Sequence, residues 1–443
     1  MSTRRCGHLS DLWSVDDHLA DILRAIRPLD PIALPLLEAD GCVLTEDVTV
    51  PTALPPFDNS SMDGYAVRCA DVAAATAERP VALTVTGDIA AGSGELPTLR
   101  PGQALRIMTG APLPPGAEAV VPVEWTDGGL GGGPVRAMPA GQVRAGERVR
   151  VHRPAERGAH IRERGSDAAA GALALPAGTV LGPPQLGLLA AVGRASVEVR
   201  PRPRVVVLST GSELVPPGTA LRPGQIHDSN SFTLTAAARA AGAAAYRAAT
   251  VADDPERLRA ALEDQLSRAD LVITSGGVSV GAYDVVKEAL RGSVEFRRLA
   301  MQPGKPQGFG LVGKQRIPLL ALPGNPVSSY VSFELFVRPA LRALAGHPQV
   351  ERARVRARLE CEEPLVSPAG RRQYLRGSYT PPAPGERLGT VRPVGGASSH
   401  LLAALARADA LIEIPEAATG AASGAELTVV PLGGGAQEYG SSS

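Results

Sequence analysis

The chain has little with which to build a metal finger or a disulfide scaffold. Its four cysteines, Cys6, Cys42, Cys69 and Cys361, are scattered and show no C-x-x-C spacing. That argues against a structural zinc site and a disulfide framework, and makes a reducing compartment the simpler setting. Charge of either sign is not in excess: Lys+Arg and Asp+Glu both number 45. No global field therefore points to nucleic acid or an anionic membrane surface as partner. No window reaches the roughly 18–20 apolar residues of a membrane helix. The nearest, "LGPPQLGLLAAVG", is too short, and the first twenty residues have two Arg but no apolar core of a secretory signal. A cytoplasmic location is the expectation. Two phosphate-binding signatures are also missing. No G-x-G-x-x-G follows the first strand of the α/β pattern, and no glycine loop ends in the Lys of a nucleotide P-loop.

What is present is a change of texture along 443 residues, a length that suits two to four domains of roughly 150 residues each. Ser14, two acids, then Val15, Leu19, Ile22 and Ile26 at helical spacing predict a helix over 14–27, stopped by Pro28. Residues 32–50 read as a short strand, a helical turn and another strand. From 51 to 164, "PVALTVTGDI", "QALRIMTGAPLPPGAEAVVPVEWT" and "GPVRAMP" are strand-like runs punctuated by Gly and Pro, with "GGLGGGP" (128–134) as an exposed loop tip. Residues 165–200 are mixed, with a helix opened by Pro183-Pro184.

From 203 to 344 strands and helices alternate. "PRVVVLSTGSEL", "ADLVITSGG" and "IPLLALPGNP" carry apolar runs without alternation, the mark of a parallel sheet covered on both faces. From 350, "RARVRARLECEEPL", "RRQYLRGSYT", "TVRPVG" and "AELTVVPL" read as short strands. The expected fold is a multidomain α/β chain. A central three-layer αβα domain (203–344) has a parallel-rich sheet. The N-terminal domains are β-rich (51–164, inserted between 10–50 and 165–200). A small β-barrel-like domain (350–432) follows.

In an open α/β sheet, ligands bind beyond the carboxyl ends of the strands. Three strand-to-helix turns there carry Gly and hydroxyls: Ser209-Thr210-Gly211-Ser212-Glu213, Ser275-Gly276-Gly277-Val278-Ser279, and Leu322-Pro323-Gly324-Asn325-Pro326-Val327-Ser328. Backbone amides and hydroxyls from three such turns suit one anion. Glu213, Asp228, Asp253, Asp254 and Asp284 stand round the same rim, where a hard dication such as Mg²⁺ would bridge carboxylate and phosphate. A helix N-cap is the plain alternative for Asp253-Asp254-Pro255-Glu256. Arg297, Arg298, Lys305 and Arg316 gather near the fourth strand, with Lys305 in the Pro-constrained turn "QPGKP". Two earlier stretches, "PPFDNSSMDGYAVR" (55–68) and "LRIMTGAP" (105–112), also stand out from ordinary turns.

"PPFDNSSMDGYAV", "RIMTGAP", "STGSEL", "GQIHDSN", "TSGGVSVGAYD", "PGKP" and "LPGNPVS" occur in this order over about 10–432. In this the chain resembles the MoeA-type molybdopterin molybdenumtransferases, a family that includes the E domain of gephyrin. The resemblance implies an elongated homodimer of four-domain subunits. Its αβα domain, similar to the MoaB/Mog proteins, would bind adenylylated molybdopterin. Molybdate and Mg²⁺ would enter, AMP would leave, and molybdenum cofactor would form. It further implies that Asp63 and Thr109 act across the dimer, and that Glu213, Asp253 and Asp284 line the pterin-nucleotide and Mg²⁺ pocket. Asp167, Arg376 in "QYLRG" and Ser399 in "GGASSH" match further functional positions. The upstream molybdopterin adenylyltransferase and recipient molybdoenzymes are the partners it suggests. Two departures appear: Gln302 where many members have the first Lys of Lys-Pro-Gly-Lys-Pro, and Arg298 where a Lys is frequent. Two other readings stay open: a pterin adenylyltransferase, which uses a related αβα domain, and a gephyrin-like scaffold. Only one S-G-G-V-S element and no long linker are present.

Overall fold

The computed structural model describes residues 12–141, 143–144, 146–251, 254–278 and 285–433. Asp253, Ser279 and Asp284 lie outside the described residues, as does Cys6. A six-stranded sheet forms the centre. Its order is Ala244–Arg247, Arg204–Ser209, Leu271–Ser275, Ile317–Leu322, Pro306–Val312, Val294–Arg298. The first four strands are parallel. The last two form antiparallel pairs with their neighbours, so a hairpin edge joins a parallel sheet.

The valine-rich strand shows why the run is apolar throughout. Val205 and Val207 enter the core on one face, with Leu271, Ile273, Leu320 and Leu322. Val206 and Leu208 enter the core on the other, with Val272, Leu319 and Ala321. Side chains alternate across a strand, so a strand buried on both faces must be apolar at every position. The first face is covered by Asn230–Ala240, by the helical stretch from Pro326 to Leu344 and by the N-terminal helix Val15–Ala25. The second is covered by Pro255–Leu266 and Val285–Ala289. The N-terminal helix begins as read. Ser14 caps it, accepting from the Asp17 amide.

The first of the three turns departs from the reading. Arg204–Ser209 does not pass directly into a helix. The chain first forms a two-stranded parallel ladder, Leu214–Val215 with Ile226–His227, and only then the helix Asn230–Ala240. Pro216 and Pro217 have no amide to extend a helix, and Gly218 and Gly224 turn the chain at positive φ.

A five-stranded sheet follows the order Ala119–Pro122, Gly64–Val67, Gln103–Ile107, Val81–Ile89, Arg148–Val151. "GPVRAMP" contributes no strand to it; its Pro residues bracket a segment too short to pair. Beside it, Ile32–Pro35, Ser196–Arg200 and Val43–Leu44 form a small sheet. At the C-terminus, Arg372–Thr380, Gly389–Pro393, Val355–Leu359, Glu426–Pro431 and Ala410–Ile414 pair in sequence. Ala410–Ile414 returns to Arg372–Thr380 and closes a barrel. Closure removes free edges. The barrel is seated on the central unit, since Tyr374, Leu411 and Val430 share the core of Phe336 and Leu341. No helix among the described residues is long and apolar enough to cross a membrane.

Candidate functional site

The carboxyl ends of the parallel strands open into a cavity of about 760 Å³. All three glycine turns reach it. Ser209, Thr210, Gly211 and Glu213 come from the first, Ser275, Gly276 and Gly277 from the second. Pro323, Gly324, Asn325, Pro326 and Ser328 come from the third, and Asp228 joins them.

Backbone hydrogen bonds lock the turns together. The Thr210 amide donates to Ser275 O (3.0 Å), and the Gly276 amide to Leu322 O (3.1 Å). Asn230 Nδ2 donates to Ser275 Oγ (2.9 Å) and Gly324 O (2.7 Å), stitching the second turn to the third. Gly276 lies at φ +99°, and a methyl there would meet Thr210 O at 2.6 Å. A methyl on Gly211 would meet a carboxylate oxygen of Glu213 at 2.7 Å. At Gly276 the backbone approach excludes a side chain, whereas at Gly211 the neighbour is the end of a flexible side chain that can shift.

Asp228 is buried and fully occupied. It accepts from Ser209 Oγ (3.1 Å), the Ser231 amide (3.0 Å) and Ser231 Oγ (2.6 Å). Thr250 Oγ1 lies at 3.4 Å. Its carboxylate holds the first turn to the helix Asn230–Ala240. Among the described residues the Glu213 carboxylate has neither a hydrogen bond nor an ion pair, so it is free to bind something in the cavity. Thr210 Oγ1 is buried without a partner. Buried polar groups are normally satisfied, and an orphan hydroxyl in a cavity wall is available to a ligand. Among the described residues no three His, Cys, Asp or Glu side chains gather as a metal site. Of the predicted Mg²⁺ ligands, only Glu213 is described. Asp254 takes the plainer role, capping Pro255–Leu266 by accepting from the Glu256 and Arg257 amides.

Barrel residues complete the rim. His400 lines the cavity. Asn325 Nδ2 donates to Ser399 Oγ (2.9 Å), and the Val327 amide donates to Ser399 O (3.0 Å). Arg376, 2% exposed, spends its guanidinium on carbonyls. It donates to Val394 O (3.4 Å), Ser398 O (3.2 Å) and Gly396 O. It therefore shapes the loop that brings Ser399 to the rim, and burial lowers its pKa from the ordinary value.

The candidate cations separate. Arg297 is buried and pairs with Asp21 (2.7 Å) and Glu295 (2.5 Å), stacked on Trp13 at 3.7 Å. It belongs to the fold. Arg316 precedes Ile317–Leu322 and so sits at the amino end of that strand, away from the cavity. Arg298 and Lys305 flank the turn before Pro306, which lines the cavity. Burial, and then the positive charges of Arg298 and Arg371, hold the Lys305 ammonium below its usual pKa.

Asp63, Thr109 and Asp167 do not line this cavity. Asp63 and Thr109 are joined to each other in the N-terminal sheet region, and the Asp167 amide donates to Leu54 O (3.0 Å). Sequence reasoning missed Asn230 and His400 as rim residues. Asn230 stands inside the quoted "GQIHDSN", which could have flagged it. His400 carries no local signal beyond its place beside Ser399.

Three family models match. The MoeA N-terminal region (domain I and II) covers residues 13–193, the "Probable molybdopterin binding domain" residues 206–343, and the MoeA C-terminal region (domain IV) residues 358–432. Molybdopterin molybdenumtransferase 2 of Mycobacterium tuberculosis is 47% identical over 95% of this chain and 99% of its own. Molybdopterin molybdenumtransferase of Bacillus subtilis is 35% identical over 87% and 86%. Two crystal structures of Pyrococcus horikoshii molybdopterin biosynthesis MoeA protein superpose with TM-scores of 0.74 and 0.72, at 31% and 28% identity. They cover 96% and 95% of this chain and 100% of theirs. With family models matched from residue 13 to 432 and a relative aligned over 95% of the chain, it belongs to the MoeA family of molybdopterin molybdenumtransferases.

Proposed function

We propose that this protein inserts molybdenum from molybdate into adenylylated molybdopterin, releasing AMP, as a step of molybdenum cofactor biosynthesis. The observation that carries the reading is the convergence of three glycine-hydroxyl turns on one cavity in a chain of this family. Amides and hydroxyls suit phosphate oxygens and a tetrahedral oxyanion alike.

In this reading the Thr210 and Ser275 hydroxyls and the Gly277 amide bind the nucleotide phosphates, while Ser209, Gly211 and Gly276, whose donors go to Asp228, Val251 O and Leu322 O, shape the turns around them. Asp228 positions Ser209 and does not itself contact substrate. Pro323, Gly324, Asn325, Pro326 and Ser328 form the opposite wall, with Ser279 joining the second turn. Arg298 and Lys305 attract molybdate. Arg376 holds the Ser399 loop in place. Oxygen donors suit Mg²⁺, and Glu213, with Asp253 and Asp284, would hold it. When bound it neutralises charge on phosphate oxygens.

The protein acts as a homodimer in which Asp63 and Thr109 of one subunit complete the cleft of the other, with Asp167 a further substrate-binding residue; that neither Asp63 nor Thr109 lines the cavity of its own chain fits this reading. The working division of the chain is 10–50 with 165–200, 51–164, 203–344 and 350–432. A reducing cytoplasm suits scattered thiols and a dithiolene substrate.

The test is reconstitution of purified protein with adenylylated molybdopterin, Mg²⁺ and molybdate, measuring AMP and cofactor together. AMP release that needs both ions is the expected result. Adenylylated pterin made from molybdopterin and MgATP would instead indicate an adenylyltransferase. Pterin binding without AMP release would indicate a scaffold.

A further inference from the structure

Three cations stand together beside the cavity with no carboxylate among them. Arg298 opposes Pro306 in the antiparallel pair, and the Leu299 amide donates to Lys305 O (2.7 Å). The barrel brings the third. Met301–Gln302 pairs in parallel with the start of Arg372–Thr380, and the Arg372 amide donates to Ala300 O (2.9 Å). Arg371 Nη1 then reaches Gln302 Oε1 at 3.4 Å, across the same turn that presents Lys305.

The neighbours show that the fold supplies carboxylates here selectively. Arg297 pairs with Asp21 and Glu295; Arg372 pairs with Asp16 and Glu416. Arg298 and Arg371, each one residue away, have no such partner among the described residues. Adjacent positions on a strand point to opposite sides. Of each adjacent pair one is neutralised and the other is left positive, Arg298 on the strand and Arg371 in the bend just before Arg372–Thr380. Like charges held together repel, and a dianion between them would relieve the repulsion. The depressed Lys305 ammonium reports that repulsion, after burial.

We propose that Arg371, contributed by the C-terminal barrel, joins Arg298 and Lys305 as a binding residue for the tetrahedral oxyanion substrate. The proposal rests on the function proposed above and adds a residue and a domain to the molybdate side of the site. Pro306, next to Lys305, lines the cavity and connects the seat to the nucleotide side. The guanidinium fork can donate two parallel bonds to an oxyanion, which an ammonium cannot.

The experiment is titration calorimetry of the full-length protein with sodium molybdate, alongside AMP release with molybdate and adenylylated pterin varied in turn. Arg371→Met should weaken molybdate binding and raise its KM about tenfold, the loss expected for one charge-assisted bond. The KM for adenylylated pterin should stay unchanged. Adding Gln302→Lys should recover most of the loss, because position 302 lies against the Arg371 guanidinium. Arg371→Lys controls for folding and should bind molybdate more tightly than Arg371→Met. Equal affinity in those two variants, or unchanged molybdate KM in Arg371→Met, overturns the proposal. Wild-type protein that binds molybdate and releases no AMP would overturn the proposed function and leave the seat intact.

Discussion

Asp63 Oδ1 accepts two hydrogen bonds from one residue, from the Thr109 amide at 2.7 Å and from the Thr109 hydroxyl at 2.8 Å. Both residues are exposed, and neither lines the cavity of its own chain. The pair ties the start of Gly64–Val67 to the turn after Gln103–Ile107, and under the proposed function it completes the partner subunit's cleft.

A subunit-mixing experiment checks this. Asp63→Ala and Gly276→Ala homodimers should each be inactive. The randomly paired population should regain about a quarter of wild-type sites, and isolated mixed dimers about half, because random pairing leaves one intact cleft in half the dimers. Rates of AMP release in co-expressed, doubly tagged protein measure it. No recovery would place both residues in one subunit's cleft.

Gly276→Ala alone should also cost stability. The residue lies at φ +99°, and the new methyl would press on Thr210 O. A strained backbone of this kind costs about 1–3 kcal/mol. Urea unfolding should show a lower midpoint, and AMP release should fall more than the loss of folded protein explains.

Asp228→Ala would leave Ser209, Ser231 and Thr250 without their shared acceptor in a buried site. Losing hydrogen bonds to a buried charge should destabilise by about 3 kcal/mol. Asp228→Asn, which keeps the shape, should cost less. The denaturation midpoints of the two variants check the order. Equal losses would show that the charge of the side chain, and not its shape, holds the first turn.

Acid should loosen the contact between the N-terminal helix and the central unit. His18 is buried against Phe336, and burial, then the nearby Arg297, push its pKa down to about 4. Unfolded, it titrates near 6.5. The unfolded chain therefore binds the proton more readily. The neutral-state stability is complete above about pH 6.5 and is lost as pH falls towards 4. The slope approaches about 1.4 kcal/mol per pH unit from this group. His347, also pushed down to about 4 by burial, acts in the same direction. Melting temperatures of wild type and His18→Gln between pH 4 and 7 test it; the variant should show the shallower dependence.

Much was legible because it is local. Ser14 and the spacing of Val15, Leu19 and Ile22 announce a helix, and it begins at Val15. Val205 to Leu208 announce a doubly covered strand. The strand Ala410–Ile414 was not anticipated, although it closes the barrel. Its short apolar run has no flanking turn signal strong enough to separate it from the helical turn before it.

Residue types and their order were sufficient for the α/β class, the family and the three glycine turns, because each depends on local backbone chemistry. Only the tertiary structure could separate Arg297 from Arg298, and Arg372 from Arg371. Arg297 and Arg298 point to opposite sides of a strand, Arg371 stands in the bend before Arg372 opens one, and the carboxylates that neutralise one of each pair are not all local. Asp16 and Asp21 come from the far N-terminal helix. The same holds for Arg376, which the resemblance implies as a functional position and whose guanidinium the fold ties to the carbonyls of a loop some twenty residues away.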